Sequence, residues 1–368
     1  MTLEFPIVQP FSGSSTPSGW SLHGSAKMTG DGWLRLVPAA TMQAGTALMT
    51  GNFASTYGIS VEFDLAAHGG TPLGGSVGDG ISFFLIDGST TTDVGGPGGA
   101  LGYACYHKGR PEQKPGVTQG YAGIAFDQWG AFSDGHEAGS DGPGRQVRHA
   151  VIRGSGSGYE GYRYLTGASF PALPLSRNEP ARVHLTILEG KATVGVRKGA
   201  GLARIIDAFD LAGAAGQAAL PPTLKLGLSA STGSATNNFD VRNLRIGLPL
   251  EITQKLRQEP YQLTWPAEYK DMVGYPYRFT LKARKADVHN WRIGFTVPVG
   301  AKLVHDAGAW YEVLHDGTDG SVEIRTKKDD KNHVVKAGST LPVDLTVAHK
   351  EEGDTHRTAQ NLYAEQID

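Results

Sequence analysis

The stretch GISFFLID (80–87) carries apolar side chains on both of its faces, Ile81, Phe83 and Leu85 on one and Phe84 and Ile86 on the other. Side chains along a strand alternate with period two, so this pattern predicts a central strand buried on both sides. Working outward, ISVEFDL (59–65), VHLTIL (183–188), ATVGV (192–196) and TLKLGLSA (223–230) alternate or run apolar over strand lengths. FDVRNLRI (239–246) does the same, with a slip of period between Val241 and Leu244 that predicts a bulge. Helical periodicity is nearly absent; IIDAFDLAGAAG (205–216) is the best candidate for a short turn of helix.

Glycine supplies the punctuation. The 51 glycines among 368 residues are about twice the roughly 7% usual in proteins. They sit aperiodically between the apolar runs, as tight turns between many strands do. Composition shifts near residue 250: 43 glycines precede it and 8 follow, while Asp, Glu, Lys and Arg number 36 in the first 249 residues and 34 in the last 119. Two domains are therefore expected, 1–249 and 250–368, joined around GLPLEITQK (247–255). In the second, RFTLKA (278–283), WRIGFTVP (291–298), WYEVLHDG (310–317), SVEIRT (321–326) and LPVDLTVAH (341–349) alternate. That count of strands fits a smaller immunoglobulin-like β-sandwich. The fold class expected is all-β.

The bulk chemistry narrows function. A formal net charge of −2 argues against nucleic acid or an electrostatic membrane anchor as partner. A single cysteine, Cys105, excludes an internal disulfide framework and a cysteine-rich zinc site. No run approaches the ~18 apolar residues of a membrane helix. No cleavable signal pattern opens the sequence, so the expectation is an intracellular chain, one exported without cleavage, or a trimmed mature form.

Several segments, in order, resemble the bacterial branch of the legume-type (L-type) lectin-like domains. They are GWSLHGSAK (19–27), VGDGISFFLIDG (77–88), GGPGGALGYA (95–104), GYAGIAFDQWGAFSD (120–134), RHAVIRGSGSGYEGYRYL (148–165) and LGLSASTGSATNNFDVRNLRI (226–246). The resemblance implies a concanavalin-A-like jelly-roll sandwich with a sugar site on one rim. More faintly, VHNWRIGFTVPVGAKL (288–303), AW (309–310) and KAGSTLPVDLTV (336–347) resemble bacterial cellulose-binding modules of the immunoglobulin-like type.

A saccharide site needs hydrogen-bonding forks, a stacking ring and a rigid loop. Asp79, between Gly78 and Gly80, is a carboxylate able to accept two sugar hydroxyls, the role the resemblance implies; a Gly-Asp-Gly turn is the plainer reading. Gly98 and Gly99 let a backbone N–H approach a ligand. Gly233, Ser234 and Asn237 are candidates by position in a loop that is otherwise a polar hairpin tip. Asp127, the Trp129 carbonyl and Asp134 could form an oxygen cage for Ca²⁺, the cofactor the resemblance implies. The family pattern has an acid two positions before the strand-end Asp and an Asn four after it; here these are Ala125 and Ala131. The transition-metal half of the metal pair is thus missing, and the calcium half lacks one side-chain ligand; His136 is a poor substitute. The alternatives are that Asp127 touches sugar directly or only caps its loop, with Trp129 or Phe132 offering a stacking face. In the second domain Trp291 shares a face with Ile293, Phe295 and Val297 and belongs in the core, Trp265 is the better exposed ring, and Trp310 is ambiguous.

Three functions compete. A non-catalytic carbohydrate-binding protein leads, with a glycan as partner, action outside the cell, and several copies in a homo-oligomer or second-domain contacts to strengthen a weak site. A secreted effector or toxin using the fold for host-cell attachment is the second. A glycoside hydrolase or lyase is the third; glycosidases on this architecture carry Glu-x-Asp-x-x-Glu or Glu-x-Asp-x-Glu on one strand, and neither occurs.

Overall fold

The computed structural model describes residues 3–171, 176–198, 201–264, 266–305 and 308–367. Among them there is no α-helix, only strands and five short 3₁₀ turns. All pairings between the named strands are antiparallel. Two large sheets build the first unit. An eight-stranded sheet runs Gly201–Asp210, Lys191–Lys198, Ala181–Leu188, Ile59–His68, Asn238–Gly247, Leu34–Val37, Lys27–Met28, with Ile7–Gln9 also paired to Asn238–Gly247. A ten-stranded sheet has Gly80–Asp87 between Gly120–Asp127 and Thr223–Ser231, with Ala44–Met49 and Trp20–Gly24 beyond the latter.

The faces sort as alternation requires. Ile81, Phe83 and Leu85 join Val61, Phe63, Leu65, Val183, Leu185 and Leu226 in the core between the sheets. Phe84 and Ile86 point the other way, into a separate apolar cluster with Tyr103, Cys105, Val117, Phe132, Val151 and Tyr162. The ten-stranded sheet is thus covered on its outer face by loops, which explains the doubly apolar sequence of its central strand. The expected bulge is present: register shifts between Arg242 and Arg245, with Asn243 at φ 51°. The helical expectation for 205–216 is overturned. Gly201–Asp210 is an edge strand, paired to Lys191–Lys198 with register shifts and Ala208 at φ 46°. That irregularity breaks strict alternation and imitates a longer period.

A second core starts at Leu248 and Leu250 and includes Tyr275, Tyr277, Phe279, Trp291, Ile293, Phe295, Val322, Ile324, Val343 and Leu345. It lies between a five-stranded sheet (Glu251–Leu256, Tyr261–Gln262, Val273–Lys282, Thr340–His349, Lys302–Val304) and a four-stranded one (Tyr311–Asp316, Ser321–Thr326, Trp291–Thr296, Gln360–Gln366). Trp291 is fully buried and its indole N–H donates to the Asn332 carbonyl. Trp310 packs edge-on against it. Trp265 lies outside the described residues.

Buried charge joins the two units. Glu62 and His184 stand on the eight-stranded sheet, with Arg197 beside them; Arg292, Glu323, Tyr363 and Glu365 face them from the four-stranded sheet. Arg197 donates to Glu62 at 2.6 Å and to Glu323 at 2.8 Å. Arg292 reaches Glu62 at 2.7 Å and donates from Nε to Glu365 at 2.9 Å. The His184 ring pairs with Glu365 at 2.9 Å, and Tyr363 donates to Glu323 at 2.7 Å. Burial alone would raise these acids, but the guanidinium groups around them hold Glu62, Glu323 and Glu365 below the usual carboxylate range. Depressed acids contribute stability that is present above the unfolded value near 4.5 and lost as pH falls below it.

Arg292→Met leaves these carboxylates short of a partner and should destabilise the chain by ~3–5 kcal/mol at neutral pH, read as a shift in the denaturation midpoint. Adding Glu365→Leu should recover part of that loss; additive losses would mean the two side chains are not coupled.

Candidate functional site

Register brings the functional loops to one edge. Gly80 pairs with Asp127 on one side and with Ser231 on the other. Asp79, one residue before the central strand, therefore sits where the loops after Asp127 and Ser231 emerge. Its backbone ties them together. The Asp79 N–H donates to Ser231 O at 3.0 Å, and the Asp79 carbonyl accepts from Gln128 N–H at 2.9 Å and Trp129 N–H at 3.0 Å. The Gly78–Asp79 peptide is cis.

A recess of about 260 Å³ opens here, lined by Asp79, Gly98, Gly99, Trp129, Asp134, Gly233 and Ser234, together with Met42, Leu73, Tyr106, Ala131, Glu137 and Arg145. Seven residues singled out in the sequence thus converge, from loops far apart in the chain. Two glycines are small for steric reasons. A Cβ on Gly99 would lie 2.6 Å from the Ala131 Cβ, and one on Gly233 would lie 3.0 Å from Asp79 Oδ2. Gly98 holds φ 55°, and its carbonyl accepts from Ser231 Oγ at 2.5 Å.

Three expected residues stand apart from the lining. Asp127 is fully buried; its Oδ1 accepts from Gly130 N–H at 2.6 Å and its Oδ2 from Phe132 N–H at 2.7 Å. The carboxylate folds the loop rather than facing the recess, which is the capping alternative. Asn237 is also buried. Phe132 is sealed in the outer cluster, so it offers no stacking face. The Trp129 ring is half-buried, with the Arg145 guanidinium 3.9 Å from its centroid.

The sequence reading missed Tyr106, Glu137, Arg145 and Arg153. Tyr106 stacks on His107 with ring centroids 3.7 Å apart, and that His is pinned by Glu112 at 2.8 Å and Glu137 at 2.7 Å. A propped ring at the recess wall is a stacking platform. Arg153 is fully buried. It donates to the carbonyls of Phe132 at 2.6 Å, Ser140 at 2.9 Å and Tyr162 at 2.7 Å, with a longer contact to Asp141 at 3.3 Å. It anchors the 131–141 loop from beneath. The run RHAVIRG (148–154) contained this signal: an Arg on the apolar side of a strand needs several acceptors at once.

Electrostatics mark the floor. Burial, with Asp127 and Glu137 nearby, pushes the Asp79 carboxyl up to about 8, against the Gly233 N–H and Arg145, which lower it. Burial pushes Asp127 up to about 7, partly offset by its two N–H donors and by Arg153 and Arg145. The direction of the Asp79 shift favours its protonated form near neutral pH, in which the carboxyl donates as well as accepts.

The donor set does not fit calcium. Of the proposed ligands, both Asp127 oxygens serve backbone N–H groups, and the Trp129 carbonyl accepts from Arg145 Nε at 2.9 Å. Asp134 Oδ1 accepts from His136 N–H at 2.8 Å. Ala125 and Ala131 supply no side-chain oxygen. Ca²⁺ takes six to eight oxygens, and here a guanidinium already occupies the carbonyl it would need. A second set, Glu62, His184 and Glu365, has donor atoms within 4.8 Å of one another, but Arg197 and Arg292 hold its carboxylates.

No protein-family model and no curated protein matches the sequence. Among solved structures the chain is similar to lectins. The exoplasmic/lumenal domain of VIP36 in its Ca²⁺/Man2-bound form is 17% identical, over 66% of this chain and 86% of that one, with a TM-score of 0.46. Basic winged bean lectin with Tn-antigen is 19% identical, over 66% and 98%, with a TM-score of 0.47. The lectin from Bauhinia forficata in complex with GalNAc is 16% identical, over 66% and 97%, with a TM-score of 0.45.

The raised acids generate a pH signature. A carboxyl whose folded value lies above its unfolded value favours folding below about 4 and loses that contribution as pH rises toward 8. Asp79→Asn should therefore raise the thermal midpoint at pH 8 relative to wild type and change it little at pH 4–5. An equal shift at both ends would show that Asp79 does not titrate in this window.

Proposed function

We propose that the first unit is a non-catalytic, lectin-like carbohydrate-binding module that takes a saccharide in the recess above Asp79. The observation that carries the reading is the convergence of the Asp79 carboxyl, the bare backbone at Gly98, Gly99 and Gly233, and the Tyr106 ring on one small opening. A protonated acid can donate one hydrogen bond and accept others, which suits vicinal hydroxyls. Tyr106 offers the apolar face that a pyranose ring stacks on. Exposed Met42 and Leu73 on the rim add apolar contact.

In the same reading the chain belongs to the bacterial branch of the legume-type lectins and acts outside the cell. The second unit serves as an immunoglobulin-like accessory module, and several copies raise the strength of a weak single site. Among the described residues no helix is long and apolar enough to cross a membrane. Calcium assistance is left out of the proposal, because the oxygens it needs are engaged.

A glycan array followed by retention on a column of the best sugar tests the reading. Asp79→Ala should abolish retention, and Tyr106→Ala should weaken binding by ~1–3 kcal/mol, the scale of a lost ring contact plus buried area. Both variants should keep wild-type circular dichroism. Release of reducing sugar from bound glycans would replace the non-catalytic reading with a hydrolytic one, since a carboxyl protonated at neutral pH is what a general acid requires.

A further inference from the structure

The disagreement between the recess and a calcium cage has a particular shape. Where a metal would draw the strand-end loop together, the chain supplies a guanidinium. Arg145 Nε donates to the Trp129 carbonyl at 2.9 Å, and the guanidinium carbon lies 3.9 Å from the Trp129 ring centroid. The same side chain lines the recess beside Asp79 and Asp134. Its charge favours the ionised forms of both buried acids, Asp79 and Asp127.

The backbone holds Arg145 in that place. Gln146 N–H donates to the Gly130 carbonyl at 3.0 Å. Gly130 has φ 101°, and a Cβ there would meet the backbone of Gln146 and Val147 at 2.5–2.7 Å. The segment carrying Arg145 is therefore docked flush against the turn that follows Asp127. Asp127 secures the other side of that turn through the N–H groups of Gly130 and Phe132. Between them the two side chains engage the Trp129 carbonyl and the Gly130 and Phe132 N–H groups.

We propose that Arg145 replaces a bound metal ion: a cation built into the chain closes the 127–134 loop, so that the site assembles without calcium. The chemistry differs in a useful way. A calcium ion needs six to eight oxygens, from carboxylates, carbonyls or water, converging at 2.3–2.6 Å. A guanidinium needs one carbonyl along its N–H direction and a ring to lie on. Ala131, where the family pattern places an Asn, offers calcium no side-chain oxygen and leaves the guanidinium arrangement unaffected. The inference does not depend on the recess binding sugar, because it concerns how the loop is held.

The experiment uses the full chain and calcium chloride alone, with no glycan. After dialysis against calcium buffer, metal content is measured, and thermal midpoints are recorded with calcium and with chelator. No stoichiometric calcium and equal midpoints are expected. One calcium per chain would overturn the proposal, as would a calcium-dependent rise of roughly 3–4 °C, the shift that a ligand at about 100 times its Kd gives a chain of this size. Arg145→Ala should lower the midpoint and Arg145→Lys should recover part of it. A midpoint unchanged in Arg145→Ala would equally overturn the assignment. If Arg145→Ala does not fold, the wild-type metal content and midpoints still decide. Loss of glycan retention with these calcium results intact would count against the sugar reading alone.

Discussion

The outer face of the ten-stranded sheet is apolar, and it must be covered. Phe84, Ile86, Ala125 and Val151 project from it, and leaving such side chains in water would cost ~1.5–3 kcal/mol for each large one. With no α-helix among the described residues to lay over the face, loops do the covering, bringing Leu101, Tyr103, Phe132 and Tyr162 onto it. Loops that cover a sheet must satisfy their own backbone polar groups. That is the task of Arg153, with its set of carbonyl acceptors, and of Asp127, with its two N–H donors. The recess is the margin of this cover, where it meets the edge of the sheet. Site and core are consequences of one burial problem.

The same principle of charge used as internal scaffolding recurs at the joint between the units. There the paired groups are numerous and buried, and each carboxylate touches more than one cation. At the recess, Arg145, the buried Arg153 and a few N–H groups are set against two acids, and the acids are pushed up rather than down. The contrast follows from the local count of positive charge. Where guanidinium charge outweighs the cost of desolvation, acids are held down; where it does not, burial pushes them up.

Much of this was legible in the sequence. The period-two runs located the strands, and the doubly apolar GISFFLID (80–87) marked the centre of a covered sheet. The slip in FDVRNLRI (239–246) marked a bulge. What failed did so for identifiable reasons. The 205–216 run looked helical because an irregular edge strand spaces its buried residues unevenly. Asp127 looked like a ligand because a strand-end acid is drawn the same way whether it faces out or folds back on its own loop. Tyr106 and Arg145 carried no local signal; each lies in a Gly-rich loop, and only the tertiary approach of those loops to Asp79 gives them meaning.

The ionic joint has a consequence for reach. Partners there are drawn from strands on both sides and buried from solvent, so a hinge at residues 247–250 would have to strand several charges at once. Bending at this joint is therefore opposed by the cost of parting buried ion pairs.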